Sequence, residues 1–509
     1  MTVKVMHRLL ALIMTIIMFA SININTAFAA DDGYPTTYTY NYDFWGDVRE
    51  SADAYRVDQV VYGTDLGLET LMKKPQSLFV RNRDVYVCDT TNNRILHLTR
   101  SEDNVFSLVR IIDTIQGCDV TTFNTPYDVF VDEADNIYVA DTYNGRVVMV
   151  DKDLNFIKEF TKPTDSTFDQ SLSFMPSKIV VDVSGRVFTL ATNVNKGLVK
   201  FEADGTFTGF VGANKVSYNF FDYMWKMYFS TKEQRAQQES FVPTEYTNIY
   251  IDQDSFIYAT NTSFSEYDLL SDVAQPIRRL NGIGNDILIK NDRYPPIGDL
   301  YWIEQSVTLG PSKLVDITVM DENEIYVAID QTRGRIFGYD SQGIMLWAFG
   351  TTGNNEGAFN SAIAIDHMGT DLLVLDQNEG SLTVFTPTEY GNLIYDASAA
   401  YLKGDYDGSA EKWEKVLKLN SNYNLAFIGI GRALMRQEKF VEAMEYFEMA
   451  RDRENYGRAF RLYRKIWVEE NILWMVVVLV ALMIIPLVRR SVKKMRMEVE
   501  AYERNQVSK

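Results

Sequence analysis

Alternating apolar and polar positions recur along most of the chain, in short runs that are separated by turn residues. The stretch ADNIYVADTYNGRVVMVD, Ala134 to Asp151, places two such runs on either side of an Asp-Thr-x-Asn-Gly-Arg turn. Alternation with period two predicts a strand, and an Asn-Gly turn between two strands predicts a hairpin. The arrangement returns in six copies, which begin at Pro75, Pro126, Pro176, Tyr246, Leu314 and Asn360.

Each copy predicts more than a hairpin. A first short strand commonly ends in an aspartate, as at Asp132, Asp182, Asp252, Asp321 and Asp366. The third strand usually leads into a fourth, such as LNFIKEF after the second copy. Four antiparallel strands in about 50 residues are typical of a propeller blade. The predicted fold class is therefore mainly β, with a six-bladed β-propeller over residues 30–388. The segment Tyr55–Gly63 is expected to supply the outer strand that closes the ring.

Two insertions lengthen the spacing between copies, near 215–240 and 263–312. The first reads as a helix that is rich in aromatic residues. Insertions in repeat folds often carry the binding function, although these rings could equally pack the helix onto the blades. The predicted partner-binding residues of the first insertion are Phe220, Phe221, Tyr223, Trp225 and Tyr228.

A helical pattern replaces the β pattern over residues 389–470. With an offset of 34 positions, Ala397 aligns with Gly431, and Trp413 aligns with Phe447. This period, with small and aromatic residues in these places, resembles tetratricopeptide repeats. Two repeats and half of a third, Tyr456 to Glu470, are expected. The segment could form a peptide-binding groove, with Trp413 and Phe447 as partner-binding candidates, or a spacer between propeller and membrane.

Apolar runs at the two ends predict processing and membrane insertion. Residues 1–29 combine a positive start, an apolar stretch and an Ala-x-Ala site, which is the pattern of a signal peptide, with an uncleaved anchor as the alternative. Residues 471–488 predict a transmembrane helix rather than a buried core helix. The basic tail 489–509 then lies in the cytoplasm, which makes the chain a single-pass type I membrane protein whose bulk is extracytoplasmic.

The charge of the chain excludes a nucleic-acid binder, because the formal net charge is −19. The tail carries +4 and the signal segment +2, which leaves −25 for the exported part. Such acidity favours solubility and repulsion from anionic lipid. Cys88 and Cys118 are the only cysteines, and they either form a disulfide or remain two separate thiols.

The motifs YVCDTTNNRI and YVADTYNGRV, each after a leading Pro, resemble the NHL-repeat family of β-propellers over roughly residues 70–386. Asp89 and Asp141 match the aspartate of the family, Asp376 restores it, and Asp330 is displaced from it. The resemblance implies that this aspartate binds backbone and arginine within its own blade. Arg94 and Arg146 match the arginine, and Lys196 and Arg335 match it approximately.

Propellers can also be enzymes, and metal-dependent lactonases and amidating lyases share this architecture. They need carboxylates, amides or histidines at the central channel. After signal removal only two histidines remain, His97 in a strand and His367 in a predicted turn, so no zinc set is available. Calcium in the channel is possible, because it prefers oxygen ligands. The metal candidates are Asp89, Asp141, Asp330 and Asp376.

These features predict a membrane-anchored extracytoplasmic binding or scaffold protein from a bacterium. The propeller would present a surface for a protein, a peptide or a saccharide. Similar anchored NHL proteins look like accessories of envelope transport complexes. A metal-dependent lactonase- or lyase-like enzyme is the alternative, and a purely structural partner of other membrane proteins is the third option.

Overall fold

The computed structural model describes residues 39–42, 48–192, 194–212, 246–270, 274–290, 295–299, 302–304, 307–320, 322, 324–421 and 423–507. The predicted signal peptide, the insertion at 215–240 and its five aromatic candidates lie outside the described residues, as does part of the insertion at 263–312.

Six antiparallel sheets follow one another as the blades of a propeller. The chain begins with three strands that join blades formed later: β1 (Thr39–Tyr42), β2 (Val48–Glu50) and β3 (Tyr55–Tyr62). Blade 1 contains β4 (Ser77–Arg81), β5 (Asp84–Asp89), β6 (Arg94–Arg100) and β7 (Phe106–Ile112). Blade 2 contains β8 (Pro126–Val131), β9 (Ile137–Asp141), β10 (Arg146–Val150) and β11 (Phe156–Thr161). Blade 3 contains β12 (Pro176–Val181), β13 (Val187–Ala191), β14 (Leu198–Phe201) and β15 (Phe207–Val211).

The second half of the ring is less regular. Blade 4 has three described strands, β16 (Tyr246–Ile251), β17 (Ile257–Asn261) and β18 (Ile277–Leu280), with the short helix α1 (Glu266–Leu270) before β18. A small hairpin follows, β19 (Trp302–Glu304) and β20 (Val307–Leu309). Blade 5 contains β21 (Leu314–Met320), β22 (Ile325–Asp330), β23 (Arg335–Tyr339) and β24 (Met345–Phe349). A parallel pair comes next, β25 (Thr351–Thr352) and β26 (Ala358–Phe359). Blade 6 contains β27 (Ala362–Met368), β28 (Asp371–Asp376) and β29 (Ser381–Pro387).

The N-terminal strands complete the last two blades. β3 pairs antiparallel with β29 from Ser381↔Tyr62 to Pro387↔Tyr55, so the predicted closing strand is confirmed. β1 pairs with β24 and with β2, which extends blade 5 to six strands. A ring that closes with a strand from the other end of the chain leaves no gap between its first and last blades.

The first strand of blades 2 to 6 contains a β-bulge near its start. The register shifts at Pro126/Asp128, Pro176/Lys178, Tyr246/Asn248, Leu314/Asp316 and Ala362/Ala364. A bulge leaves one residue unpaired and re-aims the side chains that follow it. Five blades therefore place the third residue of the first strand in the same way.

Antiparallel strands alternate in direction, so the two ends of the propeller carry different turns. The turns after the first and third strands of each blade lie at one end, which we call the mouth face. The turns after the second strand lie at the other end, which we call the back face. The motif Asp-Thr belongs to the back face, where Thr142 Oγ1 donates to the carbonyl of Pro176 in the next blade at 2.7 Å.

Five helices follow the propeller: α2 (Glu389–Leu402), α3 (Tyr406–Leu419), α4 (Asn424–Arg436), α5 (Phe440–Met449) and α6 (Arg453–Val507). Thr388 caps α2 by accepting the Gly391 N–H at its hydroxyl. Small residues allow close helix contacts, since a Cβ on Gly429 would lie 2.4 Å from the indole of Trp413. The helices therefore pack as antiparallel neighbours, each on the next.

The last helix, α6, runs without a break over 55 residues and contains Pro486. The half repeat predicted from Tyr456 to Glu470 is the beginning of this helix, and it packs on α5 through Ala459. The apolar side chains from Ile472 to Val488 are exposed. By its length and composition, α6 is the one described helix that could cross a membrane.

Candidate functional site

A cavity with a volume of about 1100 Å³ lies at the centre of the propeller. It runs between the first strands of the six blades and reaches their mouth-face turns. Eight carboxylates and one arginine are among the lining residues: Asp128, Asp132, Glu133, Asp182, Asp252, Asp316, Glu322 and Asp366, with Arg81. The cavity is therefore a strongly acidic site of about the size that small-molecule pockets have.

The re-aimed third residues form a buried polar ring around the cavity. They are Asp128, Lys178, Asn248 and Asp316 in blades 2 to 5, and Ser77 takes the equivalent place in blade 1. Blade 6 has Ala364 there. Within the ring Ser77 Oγ donates to Asp128, and Asn248 Nδ2 donates to Asp316. The sequence copies contain these residues, but their common position depends on the bulge.

Carboxylates of the first strands connect neighbouring blades. Asp128 Oδ2 accepts the backbone N–H of Ile179 in the next blade at 2.7 Å. Asp316 accepts the N–H of Ile365 in the same manner at 2.8 Å. Asp366 of blade 6 accepts the N–H of Val80 in blade 1 at 2.7 Å. Each of these hydrogen bonds crosses from one blade to the next, so the acidic lining also stabilises the ring of blades.

Lys178 is the internal counter-charge of the polar ring. Its Nζ donates to the carbonyl oxygen of Gln76 in blade 1 at 3.3 Å. Burial raises the pKa of Asp316 to about 7, and burial also raises the pKa of Asp128, while the Lys178 ammonium opposes both shifts. Its charge thus acts on carboxylates of blades 2 and 5 together.

An aromatic wall lies on one side of the cavity. Phe79 of blade 1 and Phe130 of blade 2 have ring centroids 4.9 Å apart, with the planes tilted by 50°. Both rings are half-buried and line the cavity. The half-buried ring of Tyr250 also lines the cavity, but from blade 4, across the ring of blades from Phe79. Exposed faces of aromatic rings offer large contact areas for the apolar face of a ligand.

A fixed histidine lies in blade 6, which adjoins blade 1 of the aromatic wall. His367 Nδ1 and Thr318 Oγ1 are 2.7 Å apart, and Thr318 Oγ1 donates to Asp366 Oδ1 at 2.9 Å. Because the hydroxyl proton of Thr318 is used for Asp366, Nδ1 of His367 must be the donor and carry the proton. Nε2 is then the acceptor, and among the described residues nothing bonds to it. The structure places His367 within β27, so its prediction as a turn residue was wrong.

The four predicted metal candidates lie in equivalent back-face positions of their blades. Asp89 accepts from Lys73 N, Asn92 Nδ2 and Arg94 Nε at 2.7–2.8 Å. Asp141 makes the same three contacts with Asn124, Asn144 and Arg146, at 2.7–3.0 Å. Asp376 accepts backbone N–H groups only, from Asn360, Ser361, Asn378 and Glu379.

At Asp330 the alignment of the sequence copies differs from the alignment of the blades in the structure. It pairs with Arg335 in the strand register, as Asp141 does with Arg146, but its side-chain partner is Arg333 at 3.0 Å. Arg335 instead contacts Asp299, which also accepts from Tyr40 and fixes the second insertion to blade 5. No group of three His, Cys, Asp or Glu side chains is arranged to hold a metal in the described part of the chain. Calcium binding by the four aspartates stays a prediction.

The other singled-out residues lie inside the fold. Trp413 and Phe447 are buried between the helices, at 6% and 0% exposure, so neither offers a surface to a partner in this structure. His97 stacks on Tyr86 with centroids 4.4 Å apart, and burial lowers its pKa. Both cysteines are free thiols, and burial raises the pKa of Cys88.

The helical region joins the propeller on the mouth face. The Tyr55 hydroxyl donates to the carbonyl of Thr370, a residue that lines the cavity, at 3.0 Å, and also bonds with Tyr395 of α2. Tyr423 donates to the Leu346 carbonyl at 2.6 Å. Together with one continuous apolar core that includes Trp347, these contacts fix the helices to blades 5 and 6. Sequence reasoning did not find this junction, because its partners are distant along the chain.

Comparison with solved structures finds other propellers at very low identity. A streptogramin B lyase is 12% identical, with a TM-score of 0.40, and covers 66% of this chain and 100% of its own. The virginiamycin B lyase of Staphylococcus aureus is 11% identical, with a TM-score of 0.38, and covers 65% and 99%. A Bacteroides thetaiotaomicron protein of unknown function is 11% identical, with a TM-score of 0.39, and covers 63% and 71%. No protein-family model matches the sequence, and no curated protein matches it. Similarity at this level concerns the fold, and no activity is inferred from it.

Proposed function

We propose that this chain is a membrane-anchored extracytoplasmic binding protein whose ligand site is the central cavity of the propeller. One observation carries the proposal: the cavity of about 1100 Å³ opens at the mouth face and joins an aromatic wall to a wall of hydrogen-bond acceptors. A preformed concave site with convergent polar groups is the usual form of a ligand site.

The helical region supports the anchoring part of the proposal. It is joined to blades 5 and 6 by buried hydrogen bonds and a shared core, and it continues into the apolar helix α6. In the proposed arrangement the NHL-like propeller lies outside the membrane, the tetratricopeptide-like helices serve as a rigid connector, and the basic tail is cytoplasmic. A partner complex in the membrane would receive or supply the ligand.

A ligand screen on the full chain in detergent tests the binding function. Thermal unfolding is followed with a library of amino acids, peptides, sugars and organic acids, because a ligand of the folded state raises Tm by mass action. A ligand found in this screen should no longer raise the Tm of Phe130→Leu. It should still raise the Tm of Tyr143→Ala, because the Tyr143 side chain is exposed on the back face. Hits that act equally on both variants, or no hits at all, would contradict a cavity site.

A second candidate function is an enzyme of the lactonase or lyase type. The observation that favours it is His367, whose Nε2 is free to accept a proton while Thr318 and Asp366 fix the ring. Hydrolysis of a lactone panel by the full chain, with and without added divalent ions, tests this function. Turnover that disappears in His367→Ala would support it, and absence of turnover under both conditions would dismiss it.

A further inference from the structure

We infer that the ligand of the cavity is a hydroxyl-rich short oligosaccharide without anionic groups, which lies against the Phe79–Phe130 wall and the neighbouring His367. This inference rests on the proposed binding function and names the chemical class of its ligand. It follows from the distribution of apolar faces, acceptors and charges around one cavity.

The aromatic wall requires an apolar ligand face. Phe79 and Phe130 belong to adjacent blades and have ring centroids 4.9 Å apart, so they form a contact surface about two rings wide. A sugar ring presents a face of C–H groups with its hydroxyls directed outward, which suits stacking on an aromatic ring. Phe130 also contacts Tyr138, at 6.4 Å between centroids, and this contact holds its orientation.

The neighbouring wall, formed by blades 5 and 6, requires hydrogen-bond donors from the ligand. His367 Nε2 is an acceptor, because Nδ1 carries the proton that is donated to Thr318. Asp366 and Asp316 each accept three hydrogen bonds from the protein and retain acceptor capacity. A ligand that brings many O–H donors satisfies such a wall, whereas a ligand of acceptors alone leaves these polar groups unpaired.

The charge of the cavity excludes anionic ligands. Eight carboxylates and one arginine line it, and like charges at short range disfavour binding by several kcal/mol. Uronic acids, phosphates and acidic peptides are therefore poor ligands. Arg81, two residues after Phe79 in β4, already pairs with Asp135 at 2.7 Å and does not offset this negative charge.

The volume of the cavity indicates a ligand longer than one sugar unit. At about 1100 Å³, the cavity is at the upper end of pockets that enclose drug-sized molecules, about 300–1,000 Å³. The cavity also reaches the mouth-face turns, so a longer polymer could enter with its end alone. A short uncharged oligosaccharide fills this space without a counter-ion.

Four probes of similar length test the inference on the full chain in detergent. The trimers of N-acetylglucosamine and of glucose are uncharged, trigalacturonate is anionic, and trilysine is a cationic peptide. Binding is measured by isothermal titration and by saturation-transfer NMR. At least one uncharged trimer should bind with a Kd below 1 mM, while trigalacturonate should bind at least tenfold more weakly, about 1.4 kcal/mol in free energy.

Variants link the binding to the two walls. Phe130→Leu and His367→Ala should each lower the affinity of the uncharged trimer at least tenfold, and Tyr143→Ala should leave it unchanged. Near-UV circular dichroism confirms that each variant is folded, and Phe79→Leu replaces Phe130→Leu if the latter is not. Saturation transfer should be strongest at C–H protons of one sugar face.

The outcomes separate this inference from the proposed function. If trilysine binds and the binding depends on Phe130, the cavity is a ligand site but the saccharide assignment is overturned. Phe130-dependent binding of trigalacturonate would overturn the exclusion of anionic sugars. If no trimer binds at millimolar concentration, the saccharide assignment is overturned as well, and the library screen still decides the binding function. Trimer binding that Phe130→Leu and His367→Ala leave intact would place the sugar elsewhere on the protein.

Discussion

The guanidinium group of Arg100 in blade 1 lies 2.6 Å from the carboxylate of Asp371 in blade 6. It also lies 3.2 Å from Asp58 in β3, the N-terminal strand that completes blade 6. The Arg100 side chain is only 4% exposed, so both contacts are shielded from solvent on the arginine side. One side chain thus joins the first blade, the last blade and the closing strand.

We expect Arg100→Ala to destabilise the ring by about 2–4 kcal/mol, because it removes one partner of a largely buried pair. Urea unfolding of the full chain measures the change. Arg186→Ala is the matched control, since the pair of Arg186 with Asp182 is within one turn and the arginine is 37% exposed. The control should cost less than about 1 kcal/mol. Equal stability of the two variants would mean that the junction between blades 1 and 6 does not depend on Arg100.

Asp316 should make the protein less stable as the pH rises. Burial raises the pKa of Asp316 to about 7, above the value of about 3.9 in an unfolded chain. Between these values the folded state retains a proton that the unfolded state has lost. The stability that this retained proton contributes is therefore fully present below the unfolded-state pKa and is lost as pH rises through about 7. Between the two pKa values the free energy of unfolding falls by about 1.4 kcal/mol per pH unit.

The variant Asp316→Asn tests this pH dependence. It cannot ionise, so the free energy of unfolding should fall less steeply between pH 4 and pH 7 than it does in the unchanged protein, by up to about 1.4 kcal/mol per unit. Guanidinium unfolding at several pH values gives the slope. Asp153→Asn, in an exposed turn, is the control and should keep the original slope. An unchanged slope in Asp316→Asn would show that Asp316 is ionised in the fold.

Asp141 should be needed for the stability of blade 2. Its removal leaves the N–H of Asn124 without its acceptor and the buried Arg146 without its nearest carboxylate. We expect Asp141→Ala to cost about 3–5 kcal/mol and Asp141→Asn to cost less, because the amide oxygen still accepts.

Calcium analysis of the same samples after dialysis tests the remaining metal hypothesis. If the Asp141 contacts are purely structural, the calcium content should be the same in the unchanged protein and in folded Asp141→Asn. Loss of a stoichiometric ion in that variant would instead support the hypothesis that Asp141 binds a metal ion. Thermal unfolding in the presence and absence of a chelator provides a second measurement.

Trp413 should act as a core residue of the helical region. It is 6% exposed and packs against Gly429 of α4 and, at 6.3 Å between ring centroids, against Tyr423. We expect Trp413→Ala to cost about 3–5 kcal/mol through the cavity that it leaves. Gly429→Ala should also destabilise, because the new Cβ would meet the indole at 2.4 Å.

Circular dichroism at a helix wavelength follows the Trp413 prediction. Leu419→Ala is the control, because Leu419 ends α3 with 49% of its surface exposed. Little change in Trp413→Ala, together with loss of a partner, would instead support the original interpretation of Trp413 as a binding residue.

Much of the fold could be predicted from the chain because its signals are local. The six copies each carry their own strand alternation and turn residues, and the closing strand Tyr55–Gly63 shows the same alternation. Two ion pairs could also be predicted from the sequence, Asp89–Arg94 and Asp141–Arg146, since the partners of each pair lie five residues apart across one turn. The exchange of Arg335 for Arg333 as partner of Asp330 could not be predicted, because Arg335 faces Asp330 in the strand register but pairs with Asp299 of the second insertion.

The candidate site was not predicted, because its residues come from different copies of the repeat. His367, Thr318 and Asp366 lie on two blades, and Phe79 and Phe130 lie on two others. None of them forms a motif along the chain. The sequence does contain a signal for the polar ring, because several copies have a polar residue two positions after their first residue. Only the repeated bulge shows that these positions converge on the cavity.

The sequence by itself determined the six-bladed architecture, the order of propeller, helices and apolar segment, and the acidic character of the chain. These depend on period, composition and turn chemistry, which act over a few residues. The tertiary structure alone decided that the Lys178 ammonium acts on carboxylates of blades 2 and 5, that Trp413 and Phe447 are buried, and that the helices join the mouth face. Such contacts arise only when the ring closes and brings residues from hundreds of positions apart into one low-dielectric environment.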